Sequence, residues 1–456
     1  MGLSSKNAES DAPFLAATQA QDASTNASNI RSSHLSLTNA VDDTQPTTIT
    51  NKQSKVQAFW TRWYTAFKGI LPVYIAVHLA FAVATFFSFL FLFPDSSTNA
   101  KPLRSLLGLW SRKDTGHYIW IALHGYTQAY RTAFFPLYPL LERYLMAVTR
   151  NPFAAGLLIS NLAGLVLLAV LYRLVLEDFD REHAYRTILY LSVFPTAFFL
   201  AAAYNESLFL CLSLLSFYHI RHGHWWLAGL FGFLASLTRS AGLLLILPFC
   251  YEYLRQHNDN TRTSLQRVKK VLYMLKAIRF DVLGGILIPA GLVLFALYCY
   301  MQFGDPLSFS HAQTYWHRQL QPPWHGIVSS INVIIHSRGL ISFPSIRTVY
   351  ELGSDLFVFA LLILSFVGPW RFPRNLWAYS LYSAIFFLFL QLFPVNTMFT
   401  MFPLGSLPRF VLELFPAFIV LAGVGKNRSF HVTYLMVSSS MLFLLLVVFL
   451  IGTWLT

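Results

Sequence analysis

From Gly69 to its C-terminus this chain is a succession of apolar runs separated by breaks of a few polar residues. That alternation limits the fold more than any other feature. A helix needs about 20 apolar residues to cross a hydrocarbon core roughly 30 Å thick. Inside lipid every backbone N–H and C=O must find a partner within the protein, which leaves helical bundles and closed barrels. The runs lie near 69–93, 153–176, 187–203, 206–220, 225–239, 241–254, 282–303, 354–370, 375–394, 408–424 and 432–455. The pattern predicts an all-α fold, a polytopic transmembrane helical bundle of about 11 spans. Several middle runs fall short of about 20 residues. We expect those helices to end inside the protein around a cavity, where irregular backbone is tolerated.

Composition points the same way. Of the 456 residues, 55% are hydrophobic and 12% charged, about half the charged share of a soluble domain. A net charge of +13 would suggest nucleic acid in a soluble protein. Here the basic residues sit between apolar runs, so they read as topological charge and attraction to membrane lipids or phosphates, with no nucleic acid partner. Cys211, Cys250 and Cys299 each lie inside an apolar run, with no CxxC, which excludes a secreted disulfide framework. Residues 1–55 are rich in Ser, Thr, Asn and Gln and poor in large apolar side chains. Such a segment cannot offset its chain entropy by burial, so it is expected to be a disordered polar tail, and it lacks the pattern of a cleaved signal. Residues 56–456 are expected to form a single transmembrane domain.

Basic residues give the orientation. Lys52, Lys55, Arg62 and Lys68 precede the first run, Arg181 and Arg186 follow the second, and Arg221 follows the fourth. Residues 255–281 hold Arg255, Arg262, Arg267, Lys269, Lys270, Lys276 and Arg279. With alternating spans these fall on one side, cytoplasmic by the positive-inside rule. Residues 96–152 break that rule, with Lys101, Arg104, Arg112, Lys113, Arg131, Arg143 and Arg150 on the opposite face. A basic loop there suits an anionic ligand such as a lipid phosphate.

The same face collects the other unusual residues. Asp114, beside Arg112 and Lys113, is either a solvated surface acid or a general base. Glu206 and Arg239 border the membrane core, where ionisable groups are costly and rare, and they either pair across a hairpin or meet a ligand. Arg409 and Glu413 have the i, i+4 spacing of an intrahelical ion pair. Trp110, Tyr118, Trp316 and Trp324 fit an interfacial belt. His117 and His124 lack further ligands at metal spacing, so neither metal nor cofactor is expected. Taken together, these are the groups that sugar-phosphate chemistry requires. A carboxylate takes the proton of the attacking hydroxyl, cations meet the charge on the leaving phosphate, and aromatic and amide groups hold the sugar.

The motifs also follow a recognisable order. Asp114-x-x-x-Tyr118 is followed by Phe134-Phe135-Pro136-x-Tyr138-Pro139, Phe194-Pro195, Ala203-Tyr204-Asn205-Glu206-Ser207 and Thr238-Arg239-Ser240-Ala241-Gly242. Phe303-Gly304-Asp305-Pro306, Gln313–Trp316 and Pro408-Arg409-Phe410 come after them. This series resembles the PIG-V family, the GPI mannosyltransferase II type of glycosyltransferase, over roughly residues 70 to 425. The resemblance implies a GT-C fold, a polyprenyl- or dolichyl-phosphate mannose donor and inversion at the anomeric carbon. It makes Asp114 the catalytic base and puts Tyr204, Glu206 and Arg239 near the cavity. Lys113, His117, Tyr118, Tyr138, Asn205, Gln313, Trp316 and Arg409 complete the expected substrate contacts. Lys113 and His117 stand where the family commonly has Trp, and Lys113 is expected to hold Asp114 ionised.

The expected partners are thus a lipid-phosphate-linked sugar donor and a glycolipid or glycan acceptor. The expected membrane is the plasma membrane in a prokaryote or the endoplasmic reticulum in a eukaryote. A different sugar or a protein acceptor stays open. So does a transporter, which shares broken helices and intramembrane charge, although the hydropathy shows no repeat.

Overall fold

The structure is a computed structural model that describes residues 47–92, 103–259, 280–337, 339, 341–395 and 402–452. The expected tail as far as residue 46, Lys101, and the basic residues from Arg262 to Arg279 lie outside the described residues. Val56–Thr456 form one compact unit. Among the described residues the helices of ten residues or more are α1 (Thr47–Leu92), α2 (Asp114–His124), α3 (Leu137–Thr149), α4 (Pro152–Asp178) and α5 (Arg181–Ser192). They continue as α6 (Glu206–Arg221), α7 (Trp225–Thr238), α8 (Ile246–Asp259), α9 (Gly284–Phe303) and α10 (His325–His336). The last are α11 (Phe343–Phe366), α12 (Trp377–Gln391), α13 (Phe415–Val424) and α14 (Arg428–Ile451). The all-α expectation holds: among the described residues the one β contact is an isolated bridge between Arg318 and Val395.

Among the described residues five helices are long and apolar enough to cross a membrane: Trp60–Phe91, Pro152–Asp178, Phe280–Phe303, Pro344–Phe366 and Arg428–Ile451. Leu407–Glu413 and Phe415–Val424, bent by 82° at their junction, bring the number to six if they count as one span. These helices make the chain an integral membrane protein. The expected 11 spans are not reached on length and composition among the described residues. The runs near 187–203, 206–220, 225–239, 241–254 and 375–394 instead carry α5, α6, α7, α8 and α12, of 12 to 16 residues. Of these, α6 turns its apolar side chains into protein: Phe209, Leu210, Leu214, Phe217 and Ile220 are all buried.

Helix α4 is the central element, 61% buried over its most apolar window, where the other four spans reach only 28–33%. It starts cleanly because Asn151 accepts hydrogen bonds from the N–H groups of Phe153 and Ala154, with Pro152 at the first helical position. It packs on α3, α5 and α6, and α7 packs on α6 and α9. Helices α7 and α9 touch backbone to backbone. A Cβ on Gly229 would lie 1.9 Å from the Gly284 carbonyl oxygen, so only glycine fits.

Helix α6 ends in charge at both termini. At its start stands Glu206, in the site described below. At its end the Arg221 guanidinium meets Asp178 at 2.5 Å and Glu252 at 3.1 Å, and Tyr379 donates to Asp178 at 2.7 Å. The loop between the first two spans is packed rather than solvated. Tyr118, Tyr126, Phe134, Phe135 and Tyr138 form a second core with Phe295 and Cys299 of α9.

Candidate active site

Asp114 opens α2 and is held from both sides by the loop before α6. The Tyr204 hydroxyl donates to the Arg112 carbonyl at 3.0 Å, and the Thr115 hydroxyl donates to the Ala203 carbonyl at 3.3 Å. These reciprocal bonds set Asp114 next to Glu206. Lys113 has φ 45°, a left-handed value rare outside glycine, and turns the chain sharply into α2. Asn205 donates to the Thr238 carbonyl at 3.0 Å, which ties the Glu206 loop to the segment that carries Arg239. That segment is tight: a Cβ on Gly242 would lie 2.4 Å from the Ser236 nitrogen, which accounts for the glycine in Thr238-Arg239-Ser240-Ala241-Gly242.

The five charged residues form a chain of alternating sign. Arg409 Nη1 donates to Asp114 Oδ2 at 2.8 Å, and its Nε stands 3.0 Å from Glu206 Oε1, an ion pair without hydrogen-bond alignment. Arg239 Nη1 reaches Glu206 Oε1 at 3.4 Å and also pairs with Glu413. The intrahelical pair of Arg409 with Glu413 does not form. A 3₁₀ turn at Val411–Glu413 breaks the α-helical register, and each residue finds a partner on another helix or loop. The three carboxylates differ in access: the Asp114 side chain keeps 15% exposure, while those of Glu206 and Glu413 keep 1%.

Three cations surround the ring of Phe410. The Arg239, Arg409 and Arg318 guanidinium carbons lie 4.5, 5.0 and 5.7 Å from its centre. Arg318 donates to the carbonyls of Phe393 and Gly405 at 3.1 and 2.9 Å, so its fork is fixed by backbone. Burial, with the like charges of Arg409 and Arg239, pushes it down to about 10.

Beside the charges stands an aromatic wall. The His117 ring stacks on Phe134 at 4.7 Å and meets the edge of Trp316 at 5.3 Å. Arg131 Nη1 lies 3.0 Å from His117 Nδ1, so that nitrogen accepts. Burial lowers the His117 pKa, which favours the neutral ring this contact needs. Trp316 Nε1 is buried without a partner among the described residues.

The structure therefore brings Asp114, Tyr204, Asn205, Glu206, Arg239 and Arg409 together. Tyr118 and Tyr138 stand behind them in the second core, their rings 4.8 Å apart, with the Tyr138 hydroxyl 2.9 Å from Ser160 Oγ. His117 and Trp316 build the wall. Gln313 contributes its carbonyl to the Arg318 N–H at 3.0 Å and does not join the charged chain. Lys113 is exposed. The cation against Asp114 is Arg409, correcting the expectation that Lys113 holds it. Sequence reasoning passed over Glu142, Glu351 and Asp355, all fully or almost fully buried, and left Arg318 out of the expected set. An acid-rich face within an apolar helix was the available signal for Glu351 and Asp355.

Fold and site together define a polytopic helical membrane protein with a buried, charge-alternating centre at one end of its bundle. The chain belongs to the mannosyltransferase (PIG-V) family, whose sequence model matches residues 77–334. It is 30% identical to GPI alpha-1,6-mannosyltransferase 2 of Rattus norvegicus over 223 residues, 46% of this chain and 44% of that protein. To the protein of the same name from Homo sapiens it is 28% identical over 218 residues, 45% of this chain and 43% of that protein. The match thus spans less than half the length of these relatives. Among solved structures it is similar to ArnT from Cupriavidus metallidurans bound to undecaprenyl phosphate. That likeness has 15% identity and a TM-score of 0.43, over 70% of this chain and 58% of that one. The family match takes in Asp114, Glu206 and Arg239, while Arg409 and Glu413 lie beyond it.

Proposed function

We propose that this chain is a membrane glycosyltransferase of the GT-C type that moves mannose from a polyprenyl- or dolichyl-phosphate carrier to a lipid-linked or glycan acceptor. The observation that carries this reading is the access of Asp114. Of three carboxylates in one charged chain it alone is open to an incoming hydroxyl, and a cation holds it in place. In the reaction the acceptor oxygen bonds to the anomeric carbon as the bond from that carbon to the phosphate oxygen breaks. The hydroxyl proton passes to Asp114, and the lipid phosphate leaves with the electron pair. A single displacement of this kind inverts the anomeric centre.

Arg409, Arg239 and Arg318 supply positive charge where the leaving phosphate gains negative charge. A donor phosphate competes with the carboxylates for Arg409 and Arg239, and its arrival frees Asp114 to act as a base. His117 and Trp316 offer the sugar an aromatic face. Tyr118, Tyr138, Tyr204 and Asn205 position the loops that carry the charges, while Lys113 and Gln313 are offered as outer substrate contacts. The name shared by the relatives favours mannose and a glycolipid acceptor. The site faces the non-cytoplasmic side, of the endoplasmic reticulum in a eukaryote or of the plasma membrane in a prokaryote.

The test is transfer from labelled polyprenyl-phosphate mannose by membranes that contain the protein or its Asp114→Asn variant. Transfer by the first and not the second supports the reading. No transfer by either from any lipid-phosphate sugar removes it.

A further inference from the structure

Arg347, Glu351 and Asp355 follow one another at intervals of four along α11, so they share one face of the helix. Glu351 is 1% exposed and Asp355 0%. Glu351 Oε1 accepts from Arg347 Nε at 2.8 Å, and Asp355 Oδ1 accepts from Gln391 Nε2 at 2.6 Å. The other oxygen of each carboxylate has no hydrogen-bond partner among the described residues.

Gln391 adds an independent observation from α12. It is 3% exposed, its amide is pinned at Asp355, and its Oε1 also lacks a partner. Turning the amide over would set its oxygen against a carboxylate, so the acceptor stays orphaned. Buried polar atoms are seldom left unpaired. Three buried acceptors, on two packed helices and unpaired among the described residues, fit a ligand that brings several O–H groups.

This face adjoins the catalytic charges. Arg318 lies in electrostatic reach of Asp114, Arg409, Arg239 and Glu351 alike. Leu407–Phe410, which carries Arg409, packs on α11.

We propose that Glu351, Asp355 and Gln391 form a sugar-hydroxyl subsite, accepting hydrogen bonds from a saccharide ring of one substrate while Asp114 serves the reacting bond. The proposal rests on the glycosyl-transfer reading above and assigns residues that it leaves without a role. The ring belongs either to the donor sugar or to the acceptor saccharide, since both present the same hydroxyl chemistry.

Asp355→Asn and the isosteric Glu351→Gln test it, in protein purified in a detergent without a sugar head group. Transfer from polyprenyl-phosphate mannose is measured with the KM of each substrate. Saturation-transfer NMR with methyl α-mannoside alone reads ring contact without turnover. The subsite predicts that KM for one substrate rises about tenfold in each variant while kcat changes far less. The substrate whose KM moves identifies the source of the ring, and Asp355→Glu recovers part of the loss. The methyl mannoside signal of the wild type falls in both variants. Unchanged KM values for both substrates overturn the subsite, as does loss of activity only in proportion to loss of folded protein. If the wild type transfers no sugar, the transfer reading falls by itself. A mannoside signal that depends on Asp355 then keeps the subsite, and a signal indifferent to Asp355 removes it as well.

Discussion

The Arg409 guanidinium donates to Asp114 at 2.8 Å across 295 residues of sequence. The contact joins the first loop of the membrane domain to its last bent helix pair, so the centre assembles only when both ends of the domain are folded. It also gives Arg409 two tasks, holding an acid at rest and meeting phosphate during transfer. Arg409→Lys keeps the charge but loses the planar fork. It should raise the KM for lipid-phosphate donor about tenfold or more and leave the protein folded. Arg409→Ala leaves Asp114 and Glu206 without that cation and should cost about 3–5 kcal/mol of stability. Thermal unfolding in detergent beside donor kinetics separates the two outcomes.

Asp114→Asn preserves size and most hydrogen bonding while removing the base. Turnover should fall by about 10²–10⁴, with insertion and donor binding retained. Single-turnover transfer by the purified variant at near-normal rate would remove Asp114 from the chemistry.

Glu206 and Arg239 meet as an ion pair, yet exchanging them should not restore function. Arg239 also serves Glu413, and Glu206 also serves Arg409. The double exchange Glu206→Arg with Arg239→Glu therefore sets two acids together and two cations together, each an unfavourable buried contact. Recovery of wild-type transfer by the double variant would mean that the pair acts in isolation.

Glu142 on α3 is fully buried, both its oxygens lack partners among the described residues, and burial pushes its pKa up to about 9 from 4.5. Its folded pKa lies above the unfolded one, so its contribution is fully present below pH 4.5 and is lost as pH rises towards about 9. Glu142→Gln cannot ionise. It should match the wild type below pH 4.5 and become more stable than it by about 4–5 kcal/mol at pH 8. Thermal unfolding across that range checks the crossing; a variant that loses stability relative to wild type as pH rises contradicts it.

The helical membrane class was legible because long apolar runs have one solution in lipid. Asp114, Glu206 and Arg239 were legible because charge beside the membrane core stands out against its neighbours. The pairing was not. Arg409 and Glu413 carry the spacing of an intrahelical bridge, and only the 3₁₀ turn at Val411–Glu413 sends them to separate partners. The count of about 11 spans is not confirmed for a related reason: hydropathy does not distinguish an apolar face that meets lipid from one that meets protein. Placing the start of a span at residue 354 left Arg347 and Glu351 in a loop. The helix actually begins at Phe343, which joins them with Asp355 on one face.

Helix α6 has 16 residues between Glu206 and Arg221, a rise of about 24 Å. The hydrocarbon core of a typical bilayer is about 30 Å thick. The two charged ends of α6 therefore cannot both stand level with lipid head groups when the helix is upright, and tilting shortens its reach further. With α6 set across such a layer, one charged end would sit below its membrane surface, and a lipid head group that engages it would have to sink. The separation of Glu206 from Arg221 thus acts as a ruler set against the bilayer, and hosts with shorter acyl chains lessen the descent.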